Sequence, residues 1–260
     1  MNDKLIPTGP GSATGKVHDA RPSLKGNLIL GPWAGTELFL NAGTGFHSND
    51  ARAVVTNAAS ETLPKATSYE MGARTRQFNR LDIRASLWLL DLTSELIFAG
   101  DAGTTEIRGA TRRYGTEISA RLALTRWLQV VSDWTLTHAE FRGTGDAVPL
   151  APELTIRTDL IARLPWGLET TFEMRYLGDR PAIEDRSART KAYLIFDLTA
   201  RYRYQQIAAF ASIENIFNAQ WRETQFFFES RLRNEAGPVS DIHFTPGVPR
   251  TFLMGVSLYF

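Results

Sequence analysis

Cysteine is absent from all 260 residues, which excludes a disulfide framework and thiolate metal sites and is compatible with an oxidising compartment. Long hydrophobic runs are missing as well. The longest apolar pieces are of the size of Ala192 to Phe196, far short of the roughly 20 residues a membrane-crossing helix needs, so crossing by helices is excluded. An excess of one charge is also lacking: 29 basic and 28 acidic residues leave a formal net charge of +1, which offers no attraction for nucleic acid or acidic partners. Lysine is scarce, with Lys4, Lys16, Lys25, Lys65 and Lys191 the five among 29 basic residues, leaving 24 arginines. Residues 1 to 11 contain no apolar core of about 7 to 15 residues, so the N-terminus is not expected to act as a secretion signal.

What the chain has is alternation. From about residue 22 to the end, apolar and polar residues recur at a period of two, and no stretch of comparable length shows a 3.6-residue period. Ile118, Ala120, Leu122 and Leu124 alternate with Glu117, Ser119, Arg121 and Thr125; Leu154, Ile156, Leu160 and Ala162 with Thr155, Arg157, Asp159 and Arg163. Leu168, Phe172, Met174 and Tyr176 oppose Glu169, Thr171, Glu173 and Arg175, and Leu194, Phe196 and Leu198 oppose Asp197 and Thr199. In the last nine residues, Phe252, Met254, Val256, Leu258 and Phe260 share one face of a strand. A strand that alternates this way and stops on an aromatic residue fits the closing strand of a transmembrane β-barrel, whose alternate residues face lipid. A hydrophobic fraction of 43% and a mean hydropathy of -0.20 do not oppose this, because a barrel keeps a polar lumen. Arginine in place of lysine suits that lumen, where a planar guanidinium can serve two carboxylates at once.

Short turns near 31–35, 78–80, 125–127, 164–167 and 202–206 alternate with longer polar loops near 47–66, 100–113, 141–149, 179–189 and 230–248, the two-rim pattern of a barrel. Trp33, Trp127 and Trp166 fall in or beside the short turns, where a periplasmic aromatic girdle would sit. The spans are 24–30, 36–46, 67–78, 81–98, 105–124, 127–141, 149–164, 167–178, 189–203, 206–229 and 249–260, eleven in all. Bacterial single-chain barrels normally have an even count, so the expected fold class is all-β, an antiparallel transmembrane β-barrel of which these spans are a part. The expected division is an irregular segment over 1–21 and a partial barrel over 22–260. Leu122, Leu160, Phe172, Phe196 and Val256 would face lipid, with Thr125 on the lumen side.

Four stretches resemble the C-terminal barrel of TonB-dependent outer-membrane receptors: Glu37 to Arg52, Asp101 to Glu106 with Arg112 to Glu117, Ile213 to Trp221, and Pro246 to Phe252 leading into the last strand. The resemblance spans roughly residues 22 to 260 and implies the C-terminal half of a barrel of about 22 strands with a plugged lumen. It further implies location in the Gram-negative outer membrane and uptake of a scarce ligand such as a ferric siderophore or another metal chelate. The implied partners are outer-membrane lipid, the barrel-assembly machinery, reading Phe252, Met254, Val256, Leu258 and Phe260 as its signal, and TonB only if another chain supplies a plug. Residues 1 to 21 resemble neither a plug nor a TonB-pairing segment, so the chain reads as a gene fragment, a truncated open reading frame or one half of a split receptor, and is not expected to drive energised transport alone.

No enzyme is expected, nor a metal or cofactor site. His47, Ser48, Asn49 and Asp50 hold too few ligands for zinc and no positioned base. His18, His138 and His243 are scattered and read as solvated or lumenal, and Gly143 and Gly145 lack the strand-then-helix setting of a phosphate cradle. Arg231, Arg233, Asp241 and His243 lie in the last long loop, where arginines could recognise an anionic or chelated ligand or simply be solvated. The rival readings are a passive porin-like channel and a soluble β-sandwich with its Leu and Phe rows packed together.

Overall fold

The computed structural model describes residues 19–47, 62–99 and 104–259. His18, Ser48, Asn49, Asp50, Phe260 and most of the 1–21 segment lie outside the described residues. The first strands are β1 (Lys25–Trp33), β2 (Thr36–Phe46), β3 (Lys65–Gln77), β4 (Leu81–Leu92), β5 (Glu95–Ala99) and β6 (Thr104–Arg108). Then follow β7 (Thr111–Ala123), β8 (Leu128–Phe141), β9 (Leu154–Arg163), β10 (Leu168–Leu177), β11 (Tyr193–Tyr204) and β12 (Ile207–Glu214). The last three are β13 (Arg222–Ser230), β14 (Val239–Pro246) and β15 (Thr251–Leu258). Eleven of them form one antiparallel sheet in the order β1-β2-β3-β4-β7-β8-β9-β10-β11-β12-β15. β1 and β15 are not paired with each other, so the sheet is an open wall.

Because side chains alternate along a strand, parity must hold from neighbour to neighbour if a sheet is to keep two distinct faces. It holds here across the sheet. Leu81, Leu122, Val130, Leu160, Phe172, Leu198, Ile213 and Phe252 are successive cross-strand partners from β4 to β15. On the other face, Glu37, Arg74, Arg84, Ser119, Asp133, Arg157 and Arg175 are successive partners from β2 to β10. No second layer covers the apolar rows: Leu122, Leu160, Phe252, Met254 and Val256 all stand exposed. The rows therefore do not meet in a two-layer core, and the sandwich reading fails. Among the described residues, the buried apolar cluster is small, Ala139, Phe141 and Val148 with Ala151 against them, and it lies at the end of β8 and the start of the following loop.

Three aromatic side chains on the polar face lie opposite glycines on the neighbouring strand: Phe39 and Gly72, Trp88 and Gly115, Phe210 and Gly255. A Cβ at Gly115 would come within 3.0 Å of the Trp88 ring and would press on the Leu136 carbonyl. Glycine weakens a strand interior; here each ring covers the backbone that its glycine exposes.

Since strands alternate in direction, the connections sort onto two rims. Residues 34–35, 78–80, 124–127, 164–167 and 205–206 turn at one rim. Ala34 (φ 47) and Gly35 (φ 77) both adopt positive φ, as a two-residue turn must to match the strand twist. The other rim carries the long connections, 93–110, 142–153, 178–192 and 215–250.

Several expected spans divide. The span 81–98 separates into β4 and β5, and 105–124 into β6 and β7; β5 and β6 form a ribbon of their own. The cause lies in the neighbours: Lys65 and Phe46 mark the outer ends of β3 and β2, and Thr111 pairs with Phe141 at the end of β8. Beyond that level no flanking strand is found among the described residues, and β5 and β6 pair only with each other. The span 206–229 likewise separates into β12 and β13, and the expected loop 230–248 contains β14, which pairs with β13 in a second ribbon. Asn215 ends β12. It takes a positive φ of 51, which asparagine tolerates, and its buried amide bonds Ala219 through O and N and the Val248 carbonyl at 3.1 Å. The β13–β14 ribbon is held to loop 178–192 by Gln225, whose Oε1 accepts the Lys191 amide and whose Nε2 donates to the Lys191 carbonyl, both at 2.9 Å. Thr125 is not on the lumen wall as expected. It lies in a turn, its hydroxyl accepting the amides of Trp127 and Leu128.

Three outcomes follow for stability. Ile118 lies mid-strand on the apolar face while Leu122 is next to the end of β7, so Ile118→Arg should cost about 2–4 kcal/mol and Leu122→Arg less, as the penalty falls towards an interface. Thr135→Arg, beside Glu117 on the polar face, should cost least; urea unfolding in lipid vesicles measures all three, and equal costs would contradict the face assignment. Gly115→Ala should destabilise by about 1–3 kcal/mol through overpacking, read in the same assay. Gln225→Leu should lose about 1–3 kcal/mol at the ribbon, seen as faster proteolysis within 215–250 while the main sheet stays protected.

Candidate functional site

The polar face is built of charge in layers. Asp159, Glu173 and Asp197 are direct cross-strand partners, as are Arg157 and Arg175. Like charges thus sit side by side, and the attractive pairs run along and across the strands on diagonals. Arg175 reaches Asp197 at 2.7 Å and Glu173 at 3.0 Å; Arg157 reaches Glu173 at 2.5 Å and Asp159 at 3.2 Å. Each guanidinium serves two carboxylates, which lysine's single ammonium does with less geometric definition. Nearer the short-turn rim, Arg163 pairs with Glu169 at 2.7 Å and Arg76 with Asp82 at 2.9 Å. On β3 and β4, Glu70 takes Asn41 and Arg84, both at 2.8 Å.

Where this wall meets the long-connection rim, Glu173, Arg175, Asp197, Glu214, Trp221 and Glu223 line a hollow of about 430 Å³. Trp221 closes it: its indole N–H donates to the Val248 carbonyl at 3.0 Å and its ring lies 4.9 Å from that of Tyr193. A larger hollow of about 1300 Å³ is bordered mainly by apolar-face residues such as Leu28, Leu40, Met71, Leu87 and Leu136. It lies on the side turned away from the charge and offers a polar ligand little.

The four residues singled out for ligand recognition fall on one ribbon but are not joined. Arg231 and Arg233 are in the tip between β13 and β14, where Arg231 donates to the Glu235 carbonyl at 3.1 Å. Asp241 and His243 stand on β14, on one face with Phe228 and Phe226. His243 is not a solvated loop residue: its ring stacks on Phe228 at 3.9 Å, and its Nε2 is enclosed without a partner. Enclosure by a neighbouring strand's aromatic is a tertiary event that the local sequence does not announce. His138 is not lumenal, since it shares the apolar face with Leu136; near the long-connection rim it contacts Tyr114 and lies 3.3 Å from Glu140. Among the described residues, no group of three His, Asp or Glu is placed to hold a metal ion.

Trp33, Trp127 and Trp166 stand exposed at the same short-turn rim. Sequence reasoning missed Phe78, which joins them there, 89% exposed in the β3–β4 turn. Phe252, Met254, Val256 and Leu258 share the apolar face of the edge strand β15.

Loop 178–192 supplies residues that the sequence did not mark. Arg189 bonds Asp179 at 2.6 Å and also Glu153, and these partners, Glu153 foremost, raise its pKa. The Ser187 amide, then its hydroxyl, hold the Asp185 carboxyl below its ordinary value. Arg180 is buried with no such partner among the described residues, and burial lowers its pKa against the opposing influence of the Tyr193 phenol.

Similar solved structures include the copper transporter OprC, with a TM-score of 0.71 and 18% identity, covering 92% of this chain and 40% of that one. The ferric yersiniabactin uptake receptor FyuA from Yersinia pestis gives a TM-score of 0.67 at 14% identity over 92% of this chain and 37% of that one. The ferric-catecholate import receptor Fiu from E. coli K12 gives 0.64 at 20% identity over 91% and 34%. The chain thus spans little more than a third of the length of these structures. The family model described as TonB dependent receptor-like, beta-barrel matches residues 9–216, and the chain belongs to that family of barrels in the Gram-negative outer membrane.

Proposed function

We propose that this chain forms part of the barrel wall of an outer-membrane receptor that takes up a scarce metal chelate, a ferric siderophore being the leading class. The observation that carries the reading is the separation of the sheet, between its two rims, into an apolar face for lipid and a face rich in arginine–carboxylate pairs for the lumen. Transporters similar in fold handle ferric chelates or copper by name, which supports a metal-linked cargo. In this reading the long-connection rim is extracellular, and the β13–β14 ribbon overhangs the lumen. Arg231 and Arg233 at its tip meet an anionic chelate first, and Asp241 and His243 shape the surface behind them. Trp33, Trp127 and Trp166, with Phe78 beside them, form the periplasmic girdle, where an aromatic ring buries and the indole N–H of each tryptophan stays near headgroups. The apolar row of β15 is the segment the barrel-assembly machinery reads. TonB engages the receptor only through a plug.

The chain should fractionate with the outer membrane and resist carbonate extraction. In detergent, a panel of ferric chelates should produce saturable quenching of tryptophan fluorescence. The double variant Arg231→Ala and Arg233→Ala should weaken that binding about tenfold, the worth of one charge-assisted contact. Absence of quenching by every chelate together with steady ion conductance in bilayers would favour a passive channel instead.

A further inference from the structure

We propose that Arg180 anchors a subsite for a small soluble anion, a carboxylate or phosphate, at the outer mouth of the polar face. Arg180 is only 9% exposed, and its Nε and Nη1 are enclosed without a hydrogen-bond partner. No carboxylate among the described residues forms an ion pair with it, although the same loop pairs Arg189 with both Glu153 and Asp179. Its backbone is fixed: the amide donates to the Thr190 hydroxyl at 3.3 Å and the carbonyl accepts the Thr190 amide at 2.9 Å. Pro181, Ala182 and Thr190 around it are buried as well. The loop is clasped from outside by Gln225 through Lys191, next in sequence to Thr190.

A buried charge without a partner is strongly unfavourable, and arginine cannot escape by losing its proton. The free donors of a guanidinium form a planar fork that matches a carboxylate or a phosphate. An external anion therefore resolves what the chain leaves open. The side on which Arg180 lies selects the source. Arg180 follows shortly on Leu177, the last residue of β10, which pairs on the polar face with Tyr193, and Tyr193 packs against Trp221 and is the ionisable neighbour that acts on Arg180. That face is the solvent-filled side in the reading proposed above, on which this inference rests, so the anion comes from solution and not from a lipid headgroup.

The test uses the full chain in detergent, with inorganic phosphate and citrate as probes and thermal unfolding as the readout. Either anion should raise the melting temperature of the wild type by several degrees, as a ligand bound to the folded state alone must. Arg180→Met should unfold at or above the wild-type temperature without anion and ignore both probes. Should that variant fail to fold, Arg180→Lys, which keeps the charge but lacks the fork, should respond to citrate with a Kd at least about tenfold higher. An unresponsive wild type overturns the subsite, as does Arg180→Met responding like the wild type. Stabilisation only by phosphatidylglycerol vesicles and not by phosphatidylcholine vesicles, phosphate or citrate also overturns it. Ferric-chelate quenching retained in Arg180→Met while the anion response disappears leaves the receptor reading intact. An anion response in a chain that never reaches the outer membrane removes the receptor reading and keeps the subsite.

Discussion

Hydrocarbon offers no hydrogen bonds, so every backbone amide and carbonyl that enters it must find its partner within the protein. The eleven-stranded ladder meets that demand for all strands but the two at its edges, and the rest of the molecule follows from it. A strand keeps its two ladders only as far as its neighbours extend. Where β3 and β8 end, the β5–β6 ribbon parts from the wall; where β12 meets Asn215, the chain turns out of it. The ladder also enforces parity. One slipped residue between any two strands would carry a row of leucines onto the charged face, and across β4 to β15 no such slip occurs.

The charged face is organised by the same register. In the layers of Arg157 with Arg175 and of Asp159, Glu173 and Asp197, direct partners carry like charges, so attraction there is recovered along the strand and from diagonal neighbours, and arginine's fork makes that possible. The result is a wall of mutually fixed side chains rather than a row of independent surface pairs. A wall of this kind keeps a polar, hydrated surface in place without presenting a single strong site. The hollow under Trp221 is where the wall becomes irregular.

The layer above the wall is held by polar contacts that are few and specific. Asn215 and Gln225 are both buried, and their amide side chains supply three and two hydrogen bonds to loop backbone respectively. Within the same loop, Arg189 is fully paired and Arg180 is not. The difference is not one of composition, since carboxylates are close in sequence to both. It is one of placement.

The period-two pattern, the arginine bias, the short turns and the terminal apolar row were all legible in the amino-acid sequence, because alternation along one strand is a local property. That was enough to establish an all-β membrane wall, residues of its apolar face such as Leu160 and Phe172, and the rim at which Trp33, Trp127 and Trp166 stand. It was not enough to show where β4 stops and β5 begins, or that Asp241 and His243 stand on a strand, because a strand's length depends on how far its neighbours run. Nor could it reveal the stack of His243 on Phe228, the clasp of Gln225 on Lys191 or the isolation of Arg180. Those depend on segments far apart in the chain being brought together, and burial and pairing exist only once the packing does.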